Sequence, residues 1–454
     1  MQKNYKNLKV AYIGGGSRGW AWGFMTDLAQ DKDMGGTVYL YDIDFDAAKK
    51  NETIGNSIEI GDWSYLACNT IGEALDGADF VIISIFPGTF DEMHSDVHYP
   101  EKYGIYQSVG DSVGPGGIIR SLRTVPMFEE FGEAIKKYCP DAWVINYTNP
   151  MSISIKALYR VFPQIKAFGC CHEVFGTQVL LSRMLDKLCG IKDVKREEIK
   201  VNPIGVNHFT WVTEAKYKNT DLFPLYREFA VQHRESGFDF KQGENLINDK
   251  VRHGEKVKFD LFLRYGVIAA AGDRHLAEFC PGDWYLNSPE QVEGWGFGLT
   301  TVDWRRNQLR ERLEKSAKLL SGEMKPEFKP TGEDGCRQMR ALLGLDDLIT
   351  NVNLPNYGQI PNLPMGAIVE TNAVFRGDSV KPVFAGEIPQ EIYPLVSRAC
   401  GNQVSLDEAI AERSLDLAFA VFANDPLVRL PIDKAREMFD GMVANTAEYL
   451  KMYK

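Results

Sequence analysis

The fold of this chain is decided near its N-terminus by the stretch Val10-Ala11-Tyr12-Ile13-Gly14-Gly15-Gly16-Ser17-Arg18-Gly19. An apolar run leads directly into three glycines with the spacing GxGxxG, at Gly14, Gly16 and Gly19. Such glycines permit a tight strand-to-helix turn, in which backbone N–H groups and the helix N-terminus meet a pyrophosphate. We therefore predict a dinucleotide-binding turn whose cofactor contacts include Gly14, Gly16, Ser17 and Gly19.

Asp42 supports this interpretation, because it stands near the end of the next strand-like run, from Thr37 to Ile43. A carboxylate at that place binds a ribose hydroxyl and would repel a 2′-phosphate, which favours NAD over NADP. The alternative is a glycine-rich turn that binds no ligand. The strand pattern before the turn and the helix pattern after it favour the cofactor site.

Beyond this turn, short apolar runs alternate with helix-like segments through about residue 170, a pattern typical of a parallel sheet with crossover helices. The predicted strands are Val10 to Ile13, Thr37 to Ile43, Asp79 to Phe86, Ala142 to Tyr147 and Ile165 to Cys170. The predicted helices are Trp20 to Gln30, Phe45 to Ile60, Met127 to Tyr138 and Ser152 to Phe162. We predict an α/β fold with a Rossmann-like doubly wound parallel sheet.

After about Asn202 the alternation gives way to longer mixed segments, which indicates a second, α+β domain. We predict an NAD-binding domain over residues 1–200 and a substrate-binding and oligomerisation domain over residues 201–454, with the substrate between them. In the last fifth of the chain, a capping pattern predicts a helix that begins at Ser405, and Pro431 predicts the start of another.

Composition excludes several classes of function. Lys and Arg total 51 against 62 Asp and Glu, a net charge of −11, so no basic stripe is present to bind a nucleic acid. The longest apolar runs fall far short of the roughly 20 residues of a membrane-spanning helix. The chain shows no secretory signal, and its eight scattered cysteines have no CxxC spacing. We therefore expect a cytoplasmic protein with reduced thiols and no membrane partner.

Unusual residues follow three of the predicted strands, at the edge of the sheet where doubly wound folds bind ligands. Pro87 follows one strand, Asn149 follows another, and Cys171 and His172 follow a third. Each has an ordinary interpretation as a turn residue or a small core residue. Their shared location favours a common site.

Two later segments add candidates. His208 and Cys171 would make two metal ligands, although one His among aromatic neighbours is more often a core residue. The segment Gly272-Asp273-Arg274-His275-Leu276-Ala277-Glu278 concentrates charged groups, which would equally suit a solvated turn that leads into a helix. Tyr265, a short distance before it, is either a packing residue or a base.

Taken together, these segments resemble glycoside hydrolase family 4, whose members are NAD- and divalent-metal-dependent glycosidases. The resemblance extends over nearly the whole chain. Its motifs are Ile13 to Ser17, the predicted loop Gly114 to Arg120 with Leu122 to Pro126, Asn146 to Pro150, Cys171 to Val174, Gly205 to His208, Gly272 to His275, and a late segment with Asn362 to Pro364 and Val369-Glu370.

The tetrapeptide Cys171-His172-Glu173-Val174 is similar to the version found in α-galacturonidases. Family members that act on 6-phosphorylated sugars tend to have Asp after the Cys, and the α-galactosidases have Ser after the His. The resemblance therefore implies release of galacturonic acid from short, unphosphorylated α-galacturonides, a step in pectin degradation.

The family mechanism differs from hydrolysis by a pair of carboxylates. The resemblance implies that NAD takes hydride from C3 of the sugar. A base then removes the acidified C2 proton, and the aglycone is eliminated. Water then adds to the alkene and the hydride returns, so oxidation, elimination, addition and reduction give net hydrolysis. A divalent metal, Mn²⁺ or another, polarises the C2 and C3 oxygens.

Carried over to this chain, the resemblance implies that Cys171 and His208 are the metal ligands. It also implies that His172 is an acid assisting the leaving group, and that the C2 base is Asp273 or Tyr265, with Asp273 preferred.

Three further roles concern the cofactor and the substrate. Asn149 is implied to orient the substrate near the cofactor, and Pro87 is expected to contact NAD. Arg120 or Arg274 is suited to pair with the substrate carboxylate in bidentate geometry.

Three alternatives stay open. One is a family relative with α-glucosidase or α-galactosidase activity, and another is an NAD-dependent 2-hydroxy acid dehydrogenase, which would form NADH stoichiometrically. The third is a non-enzymatic NAD-binding regulator, which would not need a Cys, a His and an Asn gathered at the strand ends.

The expected partner is a small sugar, and family members commonly form the homodimer or homotetramer expected here.

Overall fold

The computed structural model describes residues 5–239, 254–326 and 331–453. In these ranges the strands are β1 (Tyr5–Ile13), β2 (Met34–Tyr41), β3 (Asp62–Cys68), β4 (Phe80–Ile83), β5 (Trp143–Asn146), β6 (Lys166–Gly169), β7 (Ile199–Val206), β8 (Phe209–Tyr217), β9 (Thr220–Asp221), β10 (Ile268–Ala269), β11 (Leu348–Pro355), β12 (Ile368–Phe375) and β13 (Val380–Pro382).

The α-helices in the same ranges are α1 (Trp20–Gln30), α2 (Phe45–Asn56), α3 (Ile71–Leu75), α4 (Phe90–His98), α5 (Gly114–Tyr138), α6 (Met151–Val161), α7 (Glu173–Cys189), α8 (Phe223–His233), α9 (Lys256–Tyr265), α10 (Asp273–Phe279), α11 (Gly282–Tyr285), α12 (Pro289–Gly294), α13 (Val302–Ser321), α14 (Gly335–Leu342), α15 (Tyr393–Ala411), α16 (Leu415–Ala423) and α17 (Ile432–Asn445). Short 3₁₀ turns occur at Pro100–Tyr103, Arg196–Glu198 and Ala447–Tyr449.

The strands up to Gly169 form the parallel part of the sheet, in the order β3-β2-β1-β4-β5-β6. Its central strands are apolar on both faces, because helices cover both sides of the sheet; β4, for example, is buried along its whole length. This strand order reverses direction at β1 and β4, as in nucleotide-binding doubly wound folds. The predicted α/β fold class is confirmed.

Three local predictions need correction. The sequence missed β3, because it lies at the edge of the sheet and alternates buried with exposed residues. The predicted loop from Gly114 to Arg120 is the start of α5, where Pro115 suits the first turn. The helix predicted to begin at Ser405 begins at Tyr393, while α17 does begin directly after Pro431.

The antiparallel part continues the same sheet. Strand β11 pairs with β6 through Asn353 and Gly169, and the order then runs through β12, β7, β8 and β10. Helix α13 contacts α2 and α4, so the later part of the chain also packs against the nucleotide-binding helices. The functional division into residues 1–200 and 201–454 stays a prediction. No helix in the described ranges has the length and apolarity needed to cross a lipid bilayer.

Candidate active site

The turn between β1 and α1 has a backbone that only glycine accommodates. Gly14 has φ +92°, and a Cβ atom there would lie 2.0 Å from the Ser84 carbonyl oxygen. A Cβ on Gly16 would lie 2.7 Å from the Ala47 Cβ. The turn therefore lies directly against β4 and α2, with its backbone free of side chains where a pyrophosphate would approach.

Asp42 lies beside this turn, as the sequence predicted. Its carboxylate accepts hydrogen bonds from the Gly16 N–H at 2.9 Å and from the Asp44 N–H at 2.9 Å. Burial raises the pKa of Asp42, although the two backbone N–H groups counteract the effect. The carboxylate is thus fixed against the turn, where an acidic residue binds a ribose in dinucleotide-binding folds.

Sequence reasoning missed Asn51, which braces the turn from α2. Its Nδ2 donates to the Gly15 carbonyl at 2.7 Å and to the Ser17 carbonyl at 2.9 Å, and its Oδ1 accepts from the Trp22 indole at 2.8 Å. The side chain is buried. The sequence does contain one sign of this role, which is a polar residue on the inner face of a helix. Such a residue indicates specific hydrogen-bond partners, because buried amides need them.

The N-terminus of α1 has no acidic residue of its own. Gly19 caps it without a side-chain hydrogen bond, and the first turn contains no Asp or Glu. An Arg312 guanidinium nitrogen from α13 lies 2.9 Å from the place a Gly19 Cβ would take. The Arg312 guanidinium and the N-terminus of α1 both attract negative charge, so the space between them is suited to an anion. No local motif pointed to Arg312, because α13 is distant in sequence.

Pro87 and Asn149 lie after the neighbouring strands β4 and β5. The Pro87 carbonyl accepts from the Arg123 Nε at 3.1 Å, and Arg123 is itself paired with buried Asp96. The Asn149 carbonyl accepts from the Arg120 Nε at 3.2 Å. The Asn149 Oδ1 is buried and has no hydrogen-bond partner within residues 5–239, 254–326 and 331–453, so this amide retains an acceptor for a ligand.

Asp111, His208 and His275 form a cluster of potential metal ligands. One ligand atom from each lies within 4.8 Å of the other two, and the His208 and His275 rings stack with centroids 3.8 Å apart. Burial lowers the pKa of His275 to about 3, and neighbouring His208 adds to the effect. Neutral imidazoles and a carboxylate are donors that divalent transition metals accept.

His208 occupies the turn of the hairpin between β7 and β8, and its φ is +63°. A non-glycine residue in this region is uncommon, and such conformations concentrate at functional sites. The Nδ1 of His208 lies 3.1 Å from the Ser112 hydroxyl, next to Asp111 in sequence. The predicted ligand His208 therefore lies in the cluster, whereas the sequence indicates no metal role for Asp111 or His275.

Cys171 lies close to the same hairpin but outside the three-residue cluster. Asn351 donates to the Cys171 carbonyl at 3.1 Å and to the Glu370 carboxylate at 2.6 Å, and Glu370 accepts from Thr210 of β8 at 2.9 Å. Burial raises the pKa of the Cys171 thiol well above its usual value, and Glu370 adds to the effect. A bound cation would favour the thiolate instead. Its metal-ligand role stays a prediction.

His172 stands between two carboxylates. Its Nδ1 lies 3.1 Å from the Glu333 Oε1, and its Nε2 lies 3.7 Å from the Glu173 Oε1. The same Glu173 oxygen lies 3.7 Å from the His275 Nε2, and Glu173 accepts from the Gly272 N–H at 2.7 Å. Glu173 thus connects the predicted acid to the metal-ligand cluster.

Asp273 and Tyr265, the two candidate bases, lie at opposite ends of α9. Both Asp273 oxygens accept backbone N–H groups at the start of α9, from Val257 at 3.2 Å and Lys258 at 3.0 Å. Tyr265 ends that ten-residue helix, about 15 Å away, with its ring edge-on to Trp211. The choice of base stays a prediction, and the capping role of Asp273 counts against the preference for it.

Three arginines, Arg120, Arg274 and Arg305, lie near Asp111, and we call this positively charged group the arginine wall of the site. Burial alone would raise the pKa of Asp111, but Arg120, the two cluster histidines and Arg305 hold it at about 2. Arg274 also lies near Asp111 and donates to the Thr300 hydroxyl at 2.5 Å. The Arg120 Nη1 and the Arg305 Nε are buried, and neither has a hydrogen-bond partner in the described part of the chain. The wall thus retains donors for an anionic group, and Arg305 is a member that the sequence did not identify.

Comparison with known families gives two matches that together cover most of the chain. A model described as family 4 glycosyl hydrolase matches residues 9–187, and one described as the family 4 glycosyl hydrolase C-terminal domain matches residues 203–428.

Individual relatives agree with these matches. The α-galacturonidase of Thermoanaerobacterium saccharolyticum is 59% identical over 453 residues, which cover 99% of this chain and 97% of that protein. A crystal structure of lplD from Bacillus subtilis has a TM-score of 0.92 at 50% identity, covering 96% of this chain and 100% of that one.

A more distant structure has the same fold. It is a 6-phospho-α-glucosidase from gut microorganisms in complex with NAD and Mn²⁺, with a TM-score of 0.81 at 21% identity, covering 98% of this chain and 99% of that one.

Proposed function

The chain belongs to family 4 of the glycosyl hydrolases, and we propose that it is an α-galacturonidase that releases galacturonic acid from short α-galacturonides. The observation that carries the substrate class is the arginine wall beside the His208 and His275 cluster. A uronate carboxylate is planar and anionic, so it matches the Arg120 Nη1 and Arg305 Nε donors, which have no hydrogen-bond partner among the described residues. The α-galacturonidase at 59% identity supports the same assignment.

NAD is the proposed organic cofactor, held at the turn between β1 and α1. When bound there, it would supply a reversible hydride acceptor for the sugar. The Gly14 to Gly19 backbone and the N-terminus of α1 suit its pyrophosphate, and Asp42 suits a ribose hydroxyl. Pro87 lies after β4 on the same edge of the sheet. The distant 6-phospho-α-glucosidase, which has the same fold and is in complex with NAD, supports this assignment.

A divalent metal, Mn²⁺ or another, is the proposed second cofactor, and it would polarise sugar oxygens as a Lewis acid. His208 is both a ligand predicted from the sequence and a member of the cluster in the structure. Asp111 and His275 fit a mixed nitrogen and oxygen donor set, and Cys171 is the nearby thiol predicted from the resemblance. The distant relative in complex with Mn²⁺ supports this choice of metal.

The chain's own acid and base groups would then act on a bound galacturonide. His172 would donate a proton from Nε2 to the leaving oxygen, and Asn149 would orient the sugar through its unpartnered Oδ1. Either Asp273 or Tyr265 would remove the C2 proton. The arginines would hold the uronate so that these groups meet the same face of the ring.

A substrate panel with NAD, Mn²⁺ and a reductant tests the proposal. We expect nitrophenyl α-galacturonide to be cleaved with far higher kcat/KM than nitrophenyl α-galactoside or nitrophenyl α-glucoside 6-phosphate, and we expect no accumulation of NADH. Equal turnover of a non-uronate sugar would contradict the substrate assignment. NADH growth that matches turnover would instead indicate the 2-hydroxy acid dehydrogenase alternative.

The biological setting is part of the same proposal. We propose a cytoplasmic enzyme that acts on pectin-derived fragments and assembles as a homodimer or homotetramer. Size-exclusion chromatography with light scattering tests the assembly, and a monomer at micromolar concentration would contradict it.

A further inference from the structure

Glu333 contacts the predicted acid from a part of the chain that no motif identified. Its Oε1 lies 3.1 Å from the His172 Nδ1, and the two residues lie on segments that meet only in the folded protein. The Glu333 side chain is 12% exposed, and its buried Oε2 has no hydrogen-bond partner among the residues that the structure describes. A carboxylate in such a place is costly unless it serves a nearby cation or N–H group.

The residues on either side of Glu333 are anchored to different segments, with Thr331 held by α1 and Asp334 held by β11 and the turn after α7. The Thr331 N–H and hydroxyl both donate to Asp27 of α1. Asp334 pairs with Arg196 at 2.6 Å and accepts from the Thr350 hydroxyl at 2.7 Å. Because both flanks are held, the Glu333 carboxylate is presented to His172 in a defined position.

Aromatic packing restricts the imidazole from another side. The Trp20 ring packs 6.2 Å from the His172 ring and 5.1 Å from the Tyr147 ring. A Cβ on Gly335, the first residue of α14, would lie 2.1 Å from the Tyr147 hydroxyl, so this position needs a glycine to leave space for the ring. The imidazole is therefore oriented by a carboxylate at Nδ1 and a ring beside it.

We propose that Glu333 is a positioning residue whose carboxylate accepts a hydrogen bond from the Nδ1–H of His172 and directs the His172 Nε2 toward the leaving oxygen. This inference rests on the proposed function, in which His172 assists departure of the aglycone. As the bond between C1 and the leaving oxygen breaks, the proton on Nε2 moves to that oxygen. The imidazole is left neutral with Nδ1–H still donated to Glu333, and it regains a proton from water.

The test uses two substrates that differ in their need for an acid. A nitrophenolate leaves without protonation, whereas the sugar hydroxyl of an α-linked digalacturonide requires it. In the holoenzyme, we expect Glu333→Gln to lower kcat on digalacturonide by about 30- to 100-fold and kcat on nitrophenyl α-galacturonide by less than about 3-fold. The KM values and the affinities for NAD and Mn²⁺ should stay unchanged.

Matched controls separate positioning from a structural role. Glu391→Gln changes an exposed carboxylate, and it should leave both rates unchanged. In a His172→Asn background, Glu333→Gln should have no further effect on digalacturonide, because the two residues act as a unit. If Glu333→Gln does not fold, Glu333→Asp provides a second test, with a weaker loss that is again selective for digalacturonide.

Two outcomes would overturn the inference while leaving the proposed function intact. One is an equal loss on both substrates in a folded Glu333 variant, and the other is additive losses in the double variant. Failure of the wild-type enzyme to cleave any α-galacturonide would instead contradict the proposed function itself.

Discussion

The cofactor end and the substrate end of the site are built in opposite ways. The cofactor end uses nearly contiguous residues, in which the turn after β1 is held by Asp42 and Asn51. The substrate end gathers Asp111, His208 and His275 from separate segments. A contiguous turn is a local structure that sequence patterns describe, whereas the second set depends on which segments the fold brings together.

The two ends also differ in their electrostatics. At the cofactor end, backbone N–H groups, one helix N-terminus and Arg312 provide the positive potential, with one carboxylate beside them. At the substrate end, burial and charged neighbours together shift pKa values: burial lowers the pKa of His275 to about 3, and the surrounding cations hold that of Asp111 at about 2. Variants should therefore separate cofactor binding from metal and substrate chemistry.

The largest effect should come from His208→Asn, which removes a cluster imidazole but tolerates the positive φ. We expect kcat/KM on nitrophenyl α-galacturonide to fall roughly 1000-fold or more, because Lewis-acid stabilisation is worth several kcal/mol. Titration calorimetry should show weakened Mn²⁺ binding and unchanged NAD binding. Normal turnover in the presence of a chelator would contradict the metal assignment.

At the cofactor end, Gly14→Ala should remove NAD binding and lower the free energy of unfolding by about 3 kcal/mol or more, through positive-φ strain and overpacking. The physical cause is the 2.0 Å approach to the Ser84 carbonyl. Gly77→Ala is the matched control, since Gly77 also has positive φ but no atom within 4 Å of its Cβ position. Its cost should be about 1 kcal/mol, with NAD binding retained. Chemical denaturation of both variants would reveal an equal cost if the close approach were unimportant.

Arg305→Gln should weaken the substrate end without affecting the cofactor end. We expect kcat/KM on the galacturonide to fall about 100-fold and that on the galactoside to change little, because a buried charged hydrogen bond is lost only for the uronate. Arg306→Gln is the control, since Arg306 pairs with Asp91 at 2.8 Å on the surface. A similar loss for both sugars would contradict carboxylate recognition by Arg305.

Arg312→Gln should affect the cofactor end from a residue outside the contiguous turn. We expect the KM for NAD to rise about tenfold, since one charged hydrogen bond to the pyrophosphate is lost, while the KM for substrate stays constant. Exposed Arg310→Gln provides the control. Steady-state kinetics with NAD as the varied component measures the effect, and an unchanged KM would exclude Arg312 from the cofactor site.

The smallest effect on turnover should come from Asp273→Asn. Because Asp273 caps α9, we expect a loss of about 1 kcal/mol in the free energy of unfolding and a change in kcat of less than about 3-fold. Thermal unfolding and turnover should be measured on the same sample. A loss of turnover in a stable variant would identify Asp273 as the C2 base and would place the substrate end partly on α9.

Much of the site was predictable because the roles of particular residues follow from short sequence motifs around them. The glycines of the β1 turn and Asp42 follow from backbone geometry and strand order, and both lie where expected. His208 was identified through the family resemblance, and its positive φ strengthens that hypothesis. In contrast, Asn51 and Arg312 contact the cofactor turn through packing between helices, which periodicity does not describe.

The sequence by itself determined the α/β fold class, the cofactor turn and the family, because these depend on short-range patterns of apolar residues, glycines and ordered motifs. Only the tertiary structure decided that Asp273 caps a helix, that Asp111 and His275 join His208, and that Glu333 reaches His172. The physical reason is that side-chain direction and burial depend on how distant segments pack. Charge, protonation and metal affinity in turn depend on those distances.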